Sequence, residues 1–427
     1  MREDHVPSSG ARVLVLGGGG REHALAWRLA GDPEVASVLV APGNGGTDGV
    51  GRIRNLALDP TDPAAVVAWA RRERPDLVVV GPEAPLLAGV ADALRAAETP
   101  VLGPDRAAAL LEGSKRHAKA FLERHGIPTA PARSYARPED LDRALDGLDY
   151  PLVLKASGLA AGKGVVIVAS PAEARRALAS LVRLEGAREG LLAETFLRGE
   201  ELSYFVLAHG ARYLALPAAR DHKRLEDGDR GPNTGGMGAL SPPPLGAGLE
   251  ARIQETIVRP TLAGLVAEGT PYVGFLYVGL MIDPAGKPHV LEYNCRLGDP
   301  EAEVVLPRLG GSAFALFLAA ARGTLPETAA VRPEATVGVV VAARGYPEAG
   351  DHGTPLEGLE AAAEDALVFH AGTRREGGRV VTNGGRLLCV CARGTDLADA
   401  RRRAYEAVGR LRLPPGARVR RDIAGHA

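Results

Sequence analysis

The segment EYNCR at residues 292–296 combines side chains that bind cations and anions. In a β-strand, residues i and i+2 point to the same face, so Glu292, Asn294 and Arg296 are expected to project together. A carboxylate beside an amide oxygen suits Mg²⁺, which takes few protein oxygens and keeps phosphate and water ligands. The arginine can pair with a carboxylate or a phosphate. We expect a Mg²⁺ site that Asp283, at the end of the partner strand, completes; a polar strand end without a ligand is the alternative.

The segment KASGLAAGKG at residues 155–164 carries a lysine near each end of a glycine-rich stretch. It is not a P-loop, because Gly158 and Gly162 are one residue too close and Gly164 replaces the Ser or Thr that holds Mg²⁺. A β-strand pattern follows it, not a helix. The sequence therefore predicts a flap between two strands that folds over a triphosphate, with a plain hairpin loop as the alternative.

Two further glycine-rich segments can bind anions. GGGGREH at residues 17–23 joins a predicted strand to a helix, where a close backbone and a helix N-terminus favour phosphate. A dinucleotide site is not expected, because Glu22 takes the place of the third glycine and no ribose-binding acid ends the next strand. GPNTGGMG at residues 231–238 presents successive backbone N–H groups. A packing turn and an ordinary surface loop are the respective alternatives.

The elements that position these segments follow an α/β pattern. In the first hundred residues, strands are predicted at 12–16, 38–40, 77–80 and 100–102 and helices at 21–30 and 85–97, which is typical of a parallel sheet covered on both faces. A helix at 114–125 begins at the N-cap Ser114. Strands at 151–155, 164–169 and 191–195 and two hairpins, at 201–216 and 273–294, follow it. Residues 221–244 show no period, and a new αβ pattern begins after residue 325.

Composition and charge narrow the class of protein. The chain has 427 residues, with 51 Lys and Arg against 52 Asp and Glu, which argues against a nucleic-acid coat or a membrane-surface binder. Three cysteines exclude a disulfide framework and fit a reducing compartment. No apolar run approaches the roughly 20 residues that span a bilayer, and the polar first ten residues lack the core of a signal peptide. We expect a cytoplasmic protein with neither nucleic acid nor membrane as a partner.

Lysine is rare in this chain, which uses arginine for most of its positive charge. Only six lysines occur, so lysine marks positions where a compact ammonium is needed. Lys115, Lys155, Lys163 and Lys223 lie beside segments that contain Gly, Ser or His and are therefore candidates for a functional role. The other two, Lys119 and Lys287, are predicted to be solvated surface residues.

Taken together, these segments resemble the phosphoribosylamine–glycine ligases (glycinamide ribonucleotide synthetases), which are ATP-grasp enzymes of purine biosynthesis. The resemblance extends from about residue 12 to residue 424. Any one motif is modest evidence, but eleven in family order are specific: GGGGREHALAW, VAPGNGGT, VVGPEAPL, LEGSK, KASGLAAGKGV, DHKR, GPNTGGMGA, GFLYVGLM, EYNCRLGDPE, FHAGT and VTNGGR.

The resemblance implies an α/β fold in three parts. After a loose tail at residues 1–10, it implies a doubly wound parallel-sheet domain at 11–112. An α+β ATP-grasp domain at 113–325, with a flap subdomain at about 132–197, and a small C-terminal α/β domain at 326–427 complete the chain. It also implies a monomer that uses ATP with Mg²⁺ or Mn²⁺ and takes glycine and 5-phosphoribosylamine as substrates.

The resemblance also assigns roles to residues of the cleft. Glu292 and Asn294 match the metal ligands, and Arg296, Lys155 and Asp221 are the expected catalytic residues. The nucleotide is expected to contact Lys115, Lys155, Gly162, Lys163, Gly164, Glu194, Phe196, Leu197 and Glu201, with Glu201 on the ribose. The substrates are expected to contact Gly19, Gly20, Arg21, Glu22, Gly81, Pro82, Glu83, Lys223, Asn233, Thr234, Gly235, Gly236, Met237 and Gly238.

The implied reaction proceeds through glycyl phosphate, which the amine of phosphoribosylamine then attacks. Two departures from the family are visible: Gly18 stands where Asn or Ser is common, and Ala302 and Glu303 stand where Thr and Gln are common. We expect neither to change the reaction. Three rivals remain open: another ATP-grasp ligase or a biotin carboxylase-like enzyme, a nicotinamide oxidoreductase, and a non-catalytic nucleotide-binding protein.

Overall fold

The structure, a computed structural model, describes residues 10–160 and 164–425 of the chain. Its first part alternates strands and helices: β1 (Ala11–Gly17), α1 (Gly20–Ala30), β2 (Val35–Pro42), β3 (Ile53–Asn55), α2 (Pro63–Glu73), β4 (Leu77–Val80), α3 (Glu83–Leu87), α4 (Val90–Ala96), β5 (Val101–Leu102) and α5 (Arg106–Gly113). The strands form one parallel sheet in the order β3-β2-β1-β4-β5. Short apolar strands between helices predicted this sheet, and the structure confirms it.

The single helix predicted at residues 85–97 is wrong, because two helices, α3 and α4, occupy this stretch. Gly89 separates them with a φ of 85°, a conformation that glycine adopts without the steric cost of a side chain. The first of the two helices, α3, begins at Glu83, shortly after β4 ends at Val80. Glu83 therefore lies at the carboxyl edge of the parallel sheet, beside the glycine turn that follows β1.

The second part consists of one helix, α6 (Lys115–Arg124), and after it a small α/β unit with a hydrophobic core of its own. This unit contains β6 (Ala132–Tyr135), α7 (Pro138–Ala144), β7 (Leu152–Ala156), β8 (Val165–Val168), α8 (Pro171–Leu181) and β9 (Leu191–Thr195). The strands form an antiparallel sheet in the order β6-β9-β7-β8. Leu141, Leu154 and Leu178 pack within this unit, so we name β6–β9 with α7 and α8 the flap. The predicted pair of strands around the glycine-rich stretch is present.

The third part contains β10 (Glu200–His209), β11 (Arg212–Ala215), β12 (Arg220–Asp221), β13 (Arg224–Glu226), β14 (Arg230–Asn233), β15 (Gly238–Ser241), α9 (Leu249–Ile253), α10 (Arg259–Ala267), β16 (Val273–Ile282), β17 (Pro288–Asn294), α11 (Glu301–Val305) and α12 (Ala313–Arg322). An antiparallel sheet in the order β11-β10-β16-β17, the core sheet, confirms both predicted hairpins. Residues 221–244 hold short strands where we expected none: β13 pairs with β14, and β15 pairs with β12 and with the distant β18. These strands have two to four residues, which is too short to show a period in the sequence.

The C-terminal part contains β18 (Ala335–Ala342), β19 (Asp351–Pro355), α13 (Leu359–Ala363), β20 (Leu367–His370), β21 (Thr373–Glu376), β22 (Arg379–Gly384), β23 (Arg386–Gly394) and α14 (Leu397–Gly409). Its main sheet, β12-β15-β18-β23-β20, includes two strands from the third part. The C-terminal part is therefore joined to the residue 221–244 segment by backbone hydrogen bonds. Among the described helices, none has the length and apolarity needed to cross a membrane.

Candidate active site

A cleft of about 1080 Å³ opens between the flap and the core sheet and receives side chains from all parts of the chain. Many residues singled out in the sequence line it: Arg21, Glu83, Lys115, Lys155, Gly164, Glu194, Phe196, Leu197, Glu201, Asp221, Lys223, Asn233, Thr234, Gly235, Glu292, Asn294 and Arg296. Gly162 and Lys163 lie outside the described residues. The fold thus brings together segments that are more than 270 residues apart.

Two lysines face the cleft from neighbouring elements. Lys155, on β7, contacts Glu194 Oε2 at 2.8 Å and donates to the Leu291 carbonyl at 3.1 Å. Lys115 begins α6 and donates to the Gly158 carbonyl at 3.3 Å. Burial lowers the pKa of Lys115, and the Glu292 carboxylate opposes that shift. Two ammonium groups beside a glycine-rich turn form a site suited to the phosphates of a nucleotide.

Lys119, predicted to be a surface residue, is buried instead. Its Nζ lies 3.3 Å from Glu194 Oε1 and donates to Thr129 Oγ1 at 2.8 Å and to the Ala130 carbonyl at 3.0 Å. The prediction is wrong because α6 is covered by β9, which the helical pattern alone does not reveal. Glu194 therefore bridges two lysines, of which Lys155 lines the cleft and Lys119 lies behind it.

Apolar side chains from both sheets line the same end of the cleft. Val153 and Ile167 come from the flap, and Met281 and Leu291 come from the core sheet. The chain leaves β9 at Thr195, and residues 195–197 run along this wall. An apolar slot beside a stretch of backbone donors and acceptors suits a planar heterocycle such as adenine. We call this end of the cleft the nucleotide end.

Beyond the lysines, β17 projects Glu292 and Asn294 into the cleft, while Tyr293 packs into the core on the other face. Burial raises the pKa of Glu292, but Lys223, Lys155 and Lys115 outweigh it and hold that pKa below its ordinary value. Asp283 does not reach them. It lies in the turn between β16 and β17, where it accepts from Ala285 N at 2.9 Å and Lys287 N at 2.8 Å. Our expectation that it completes the site is wrong.

The residues present fit a Mg²⁺ or Mn²⁺ ion that shares its ligands with phosphate. Within the described ranges, no group of three or more His, Cys, Asp and Glu side chains would hold a metal by itself. Glu292 is kept ionised by three lysines, and the Asn294 carboxamide is hydrogen-bonded so that its NH₂ end is used by the protein. An ionised carboxylate and an amide oxygen on the same face of one strand are a donor set that phosphates and water can complete.

Asp221 and Lys223 follow one another on the wall opposite the flap. Lys223 Nζ contacts Glu201 Oε2 at 2.8 Å. Burial raises the pKa of Asp221 to about 8, with Lys223 opposing. Burial by itself lowers the pKa of Lys223, but Asp221 and Glu201 outweigh it, so its pKa lies well above the ordinary value. Lys223 therefore stays charged at neutral pH within reach of three acids.

The far end of the cleft, which we call the junction end, is built by the first, third and C-terminal parts. Arg296 Nη2 contacts Glu112 Oε1 at 2.6 Å, and its Nε lies 3.3 Å from Glu83 Oε2. Arg386 Nη2, from the C-terminal part, contacts Asp299 Oδ1 at 2.9 Å. Burial raises the pKa of Glu83, but Arg296 and Arg21 outweigh it and lower that pKa. Guanidinium groups held by carboxylates around a polar hollow suit a phosphorylated, hydroxyl-bearing substrate.

The glycine turn after β1 is less open than its sequence indicates. Gly19 N donates to Glu22 Oε2 at 2.6 Å, and Arg21 N donates to Asp299 Oδ2 at 3.2 Å. Two carboxylates thus accept from backbone N–H groups at the start of α1. Five of the residues predicted to contact the substrate do not line the cleft: Gly19, Gly20, Glu22, Gly81 and Pro82. A Cβ at Gly18 would lie 2.7 Å from the Gly43 carbonyl oxygen. The backbone there leaves no room for a side chain, so this position requires glycine. Substrate binding by this turn stays a prediction.

Three of the six substrate residues predicted at 233–238 also lie outside the cleft wall. The Met237 side chain is fully buried, and its N donates to the His222 carbonyl at 2.8 Å. Gly238 begins β15, where a Cβ would lie 2.7 Å from the Gly338 carbonyl oxygen. Gly236 packs against Pro300. Asn233, Thr234 and Gly235 are the part of this segment that reaches the cleft.

Several cleft residues received no role from the sequence: Glu112, Asp299, Glu301, Tyr346 and Arg386. Four of them lie in segments that carry the family resemblance, namely LEGSK, EYNCRLGDPE and VTNGGR. Their presence in these motifs could have marked them as candidates for the site. The sequence spacing does not indicate, however, that Glu112 contacts Arg296. Glu303 is fully buried against Gly20 and does not line the cleft, and among the described residues its two oxygens have no hydrogen-bond partner.

Comparison with known proteins extends these observations to the whole chain. Three family models match it: phosphoribosylglycinamide synthetase N domain at residues 11–112, ATP-grasp (A) domain at 113–302, and C domain at 336–426. Phosphoribosylamine–glycine ligase of Allochromatium vinosum is 48% identical over 425 residues, which cover 97% of this chain and 98% of the relative. The enzyme of the same name from Salmonella typhimurium is 46% identical over 427 residues, covering 97% and 98%.

Solved structures agree with the sequence relatives. The crystal structure of phosphoribosylamine–glycine ligase from Thermotoga maritima has a TM-score of 0.83 and 37% identity, covering 96% of this chain and all of that one. The biotin carboxylase domain of 2-oxoglutarate carboxylase from Hydrogenobacter thermophilus has a TM-score of 0.70 at 16% identity, covering 96% and 92%. This second likeness shows the ATP-grasp fold alone.

Proposed function

The chain belongs to the phosphoribosylglycinamide synthetase family, and we propose from its cleft how it joins glycine to 5-phosphoribosylamine with hydrolysis of ATP to ADP and phosphate. It is an ATP-dependent carbon–nitrogen ligase of purine biosynthesis with an ATP-grasp fold. The roles of individual residues in this reaction are proposals. They rest on which side chains meet in the cleft and on the charges that those side chains carry.

ATP binds at the nucleotide end. The adenine enters the apolar slot between Ile167 and Met281, and the backbone after β9 reads its edge. Lys115 and Lys155 contact the phosphates, and Glu201 contacts the ribose while its partner Lys223 moves toward the anions. Glu292 and Asn294 would hold a Mg²⁺ or Mn²⁺ ion, which neutralises phosphate charge when bound. The flap, with its separate core, is the part that excludes water.

Glycine binds between the phosphates and the Asp221–Lys223 pair. Its carboxylate oxygen attacks the γ-phosphorus of ATP, the bond to the β-phosphate oxygen breaks, and ADP leaves. The product is glycyl phosphate. The protein needs no covalent nucleophile for this step, because its part is to align the two anions and offset their charge with Lys155, Lys223 and Arg296.

5-Phosphoribosylamine binds at the junction end, where Arg21, Arg296 and Arg386 converge. Its amine attacks the acyl carbon of glycyl phosphate, a carbon–nitrogen bond forms, and inorganic phosphate leaves. The amine loses one proton in this step. Asp221 lines the same cleft, and its carboxylate form is suited to accept that proton.

The observation that carries this proposal is the convergence, in one cleft, of the two lysines, the Glu292–Asn294 pair and the arginines of the junction end. The test is ADP release from Mg²⁺-ATP with glycine, with and without phosphoribosylamine formed in place from ribose 5-phosphate and ammonia. We expect sustained ADP release only when both co-substrates are present. ADP release that ignores either one would contradict the proposed substrates.

The same assay separates the remaining rivals. Turnover that needs bicarbonate in place of glycine would favour a carboxylase on the same fold. Tight binding of ATP without turnover under any of these conditions would favour a nucleotide-binding protein. Neither is expected, because the junction end presents three arginines to a second substrate.

A further inference from the structure

Glu112 is a buried carboxylate that contacts three successive residues at the end of β17. It lies in the last turn of α5 and is 7% exposed. Its Oε2 accepts from Cys295 N at 2.7 Å, and its Oε1 contacts Arg296 Nη2 at 2.6 Å. The Asn294 side chain also lies against it. One carboxylate therefore holds the strand end that carries the candidate metal ligands.

The orientation of the Asn294 carboxamide depends on this contact. Its NH₂ group donates to Glu112 Oε1 and to the Tyr293 carbonyl, both at 3.1 Å; with the amide reversed, its oxygen would face these two acceptors. The amide oxygen is thereby turned away from Glu112, in a side chain that lines the cleft. A cation binds the oxygen and not the NH₂, so this orientation decides whether Asn294 is a ligand.

We propose that Glu112 is a positioning residue that turns the Asn294 carboxamide so that its oxygen faces the cleft beside Glu292. This inference rests on the proposed function, since it concerns the same metal site. Glu112 does not touch the substrates through this contact; it acts through Asn294. It lies in α5, three residues before Lys115 begins α6, so its contacts tie the end of β17 to the helix that directly precedes the lysine helix.

A glutamine at position 112 cannot replace this carboxylate. Both carboxylate oxygens accept, one from Cys295 N and the other from Arg296 and Asn294. A glutamine keeps one acceptor and presents an NH₂ group to the remaining donors. In Glu112→Gln, Asn294 thus loses the acceptor that fixes it, or Cys295 N loses its partner. Changes to a residue that orients a metal ligand typically weaken metal binding about 10- to 100-fold.

Asp32 provides a matched control away from the cleft. It is 3% exposed, contacts Arg28 Nη1 at 2.7 Å and accepts from Phe314 N at 2.7 Å. Asp32→Asn therefore removes a buried carboxylate with the same kind of partners, an arginine and a backbone N–H. It does not line the cleft, so its effect on metal binding reports only a general loss of structure.

The experiment measures Mn²⁺ binding to the full-length protein with a non-hydrolysable ATP analogue, by electron paramagnetic resonance of free Mn²⁺. We expect Glu112→Gln to weaken Mn²⁺ binding about 10- to 100-fold while Asp32→Asn leaves it unchanged. Equal Mn²⁺ affinity in Glu112→Gln and the unmodified protein, or equal weakening in both variants, would overturn the inference. If the unmodified protein binds no Mn²⁺ with nucleotide, the proposed function fails instead.

A double variant that exchanges the carboxylate and the amide between positions 112 and 294 keeps the inference testable if Glu112→Gln folds poorly. In Asn294→Asp, two carboxylates face each other, and we expect weaker Mn²⁺ binding and lower stability. In Glu112→Gln with Asn294→Asp, the glutamine NH₂ donates to the new carboxylate, and we expect Mn²⁺ affinity to recover at least tenfold over Asn294→Asp alone. A double variant that binds no better than Asn294→Asp would contradict a direct contact that sets orientation.

Discussion

The nucleotide end and the junction end of the cleft are built in different ways. At the nucleotide end, Lys115, Lys155 and Glu194 come from one part of the chain, and each stands in a segment whose pattern shows its element. At the junction end, Arg21, Glu112, Arg296 and Arg386 come from separate segments of the chain and meet through carboxylates.

The difference shows which cleft residues can be placed from the sequence pattern of a single strand or helix. Period-two alternation places a lysine or a carboxylate on the correct face of a strand, and this is sufficient where the residue lies on a strand that borders the cleft. Where several parts converge, the partners of each arginine depend on how those parts pack. The same difference predicts distinct responses to mutation: changes at the nucleotide end should affect ATP, and changes at the junction end should affect the other substrates.

The largest expected effect is at Glu292, which lies between the two ends. Glu292→Gln removes the ionised ligand that three lysines hold in the cleft. We expect kcat to fall about 10³-fold or more, because a metal ion contributes several kcal/mol to phosphoryl transfer. Steady-state ADP release at saturating Mg²⁺ measures this, with thermal unfolding as the check on folding.

Asp283 supplies the control on the same hairpin. Asp283→Asn keeps an oxygen that can accept from Ala285 N and Lys287 N in the turn. We expect activity within about twofold of the unmodified protein, since Asp283 does not line the cleft. Retained turnover in Glu292→Gln, or a large loss in Asp283→Asn, would reverse our placement of the metal site.

A second test separates the two lysines that Glu194 bridges. Lys155→Met removes a cation that lines the cleft, and we expect the Kd for ATP to rise roughly 10- to 100-fold, as for loss of a charged hydrogen bond. Lys119→Met removes three buried contacts behind the cleft. Its main effect should be on stability, by about 1–3 kcal/mol, with less than a fivefold change in ATP affinity.

Isothermal titration with ATP and urea unfolding measure the two quantities. A loss of ATP affinity in Lys119→Met as large as in Lys155→Met would show that the nucleotide end extends behind Glu194. Lys119 would then contribute to ATP binding as Lys155 does, and not only to stability.

A third test probes the junction end alone. Arg386 contacts Asp299 Oδ1 at 2.9 Å and donates to the Gly235 carbonyl at 2.7 Å, so it ties the C-terminal part to two cleft segments. We expect Arg386→Gln to raise the KM for phosphoribosylamine about tenfold, with the Kd for ATP within twofold. An equal change in both constants would indicate that the two ends of the cleft are not independent.

The same division explains what could be predicted from the sequence. The strands of the core sheet, the strand pair β7–β8 and the cleft-facing Glu292 and Asn294 follow from local patterns, whereas Arg296 lies beyond the end of β17. Lys119 is wrongly predicted at the surface because β9, which covers it, lies about 75 residues further along the chain. Glu112 receives no role from its own segment because its partners lie more than 180 residues away. In each case the missing information is a contact between separate parts of the chain.

The smallest expected effect lies behind the junction end, where α1 meets the C-terminal part. His23 Nδ1 accepts from His370 N at 2.8 Å, which requires an unprotonated Nδ1. Burial lowers the pKa of His23 to about 3, and His370 adds to that shift. Between about pH 6.5 and 3 the unfolded chain therefore binds a proton that the folded chain does not, so stability falls as pH falls.

His23→Asn should remove this histidine's share of the acid sensitivity, which is at most about 1.4 kcal/mol per pH unit. The measurement is urea unfolding at several pH values between about 4.5 and 7, within the window that the two pKa values define. His352→Asn, at an exposed position on β19, is the matched control and should keep the slope of the unmodified protein. An unchanged slope in His23→Asn would contradict an interface that needs neutral histidine. A reduced slope would show that the contact between α1 and the C-terminal part stabilises the region behind the junction end. Contacts between distant parts would then stabilise both this region and the arginines that line the cleft.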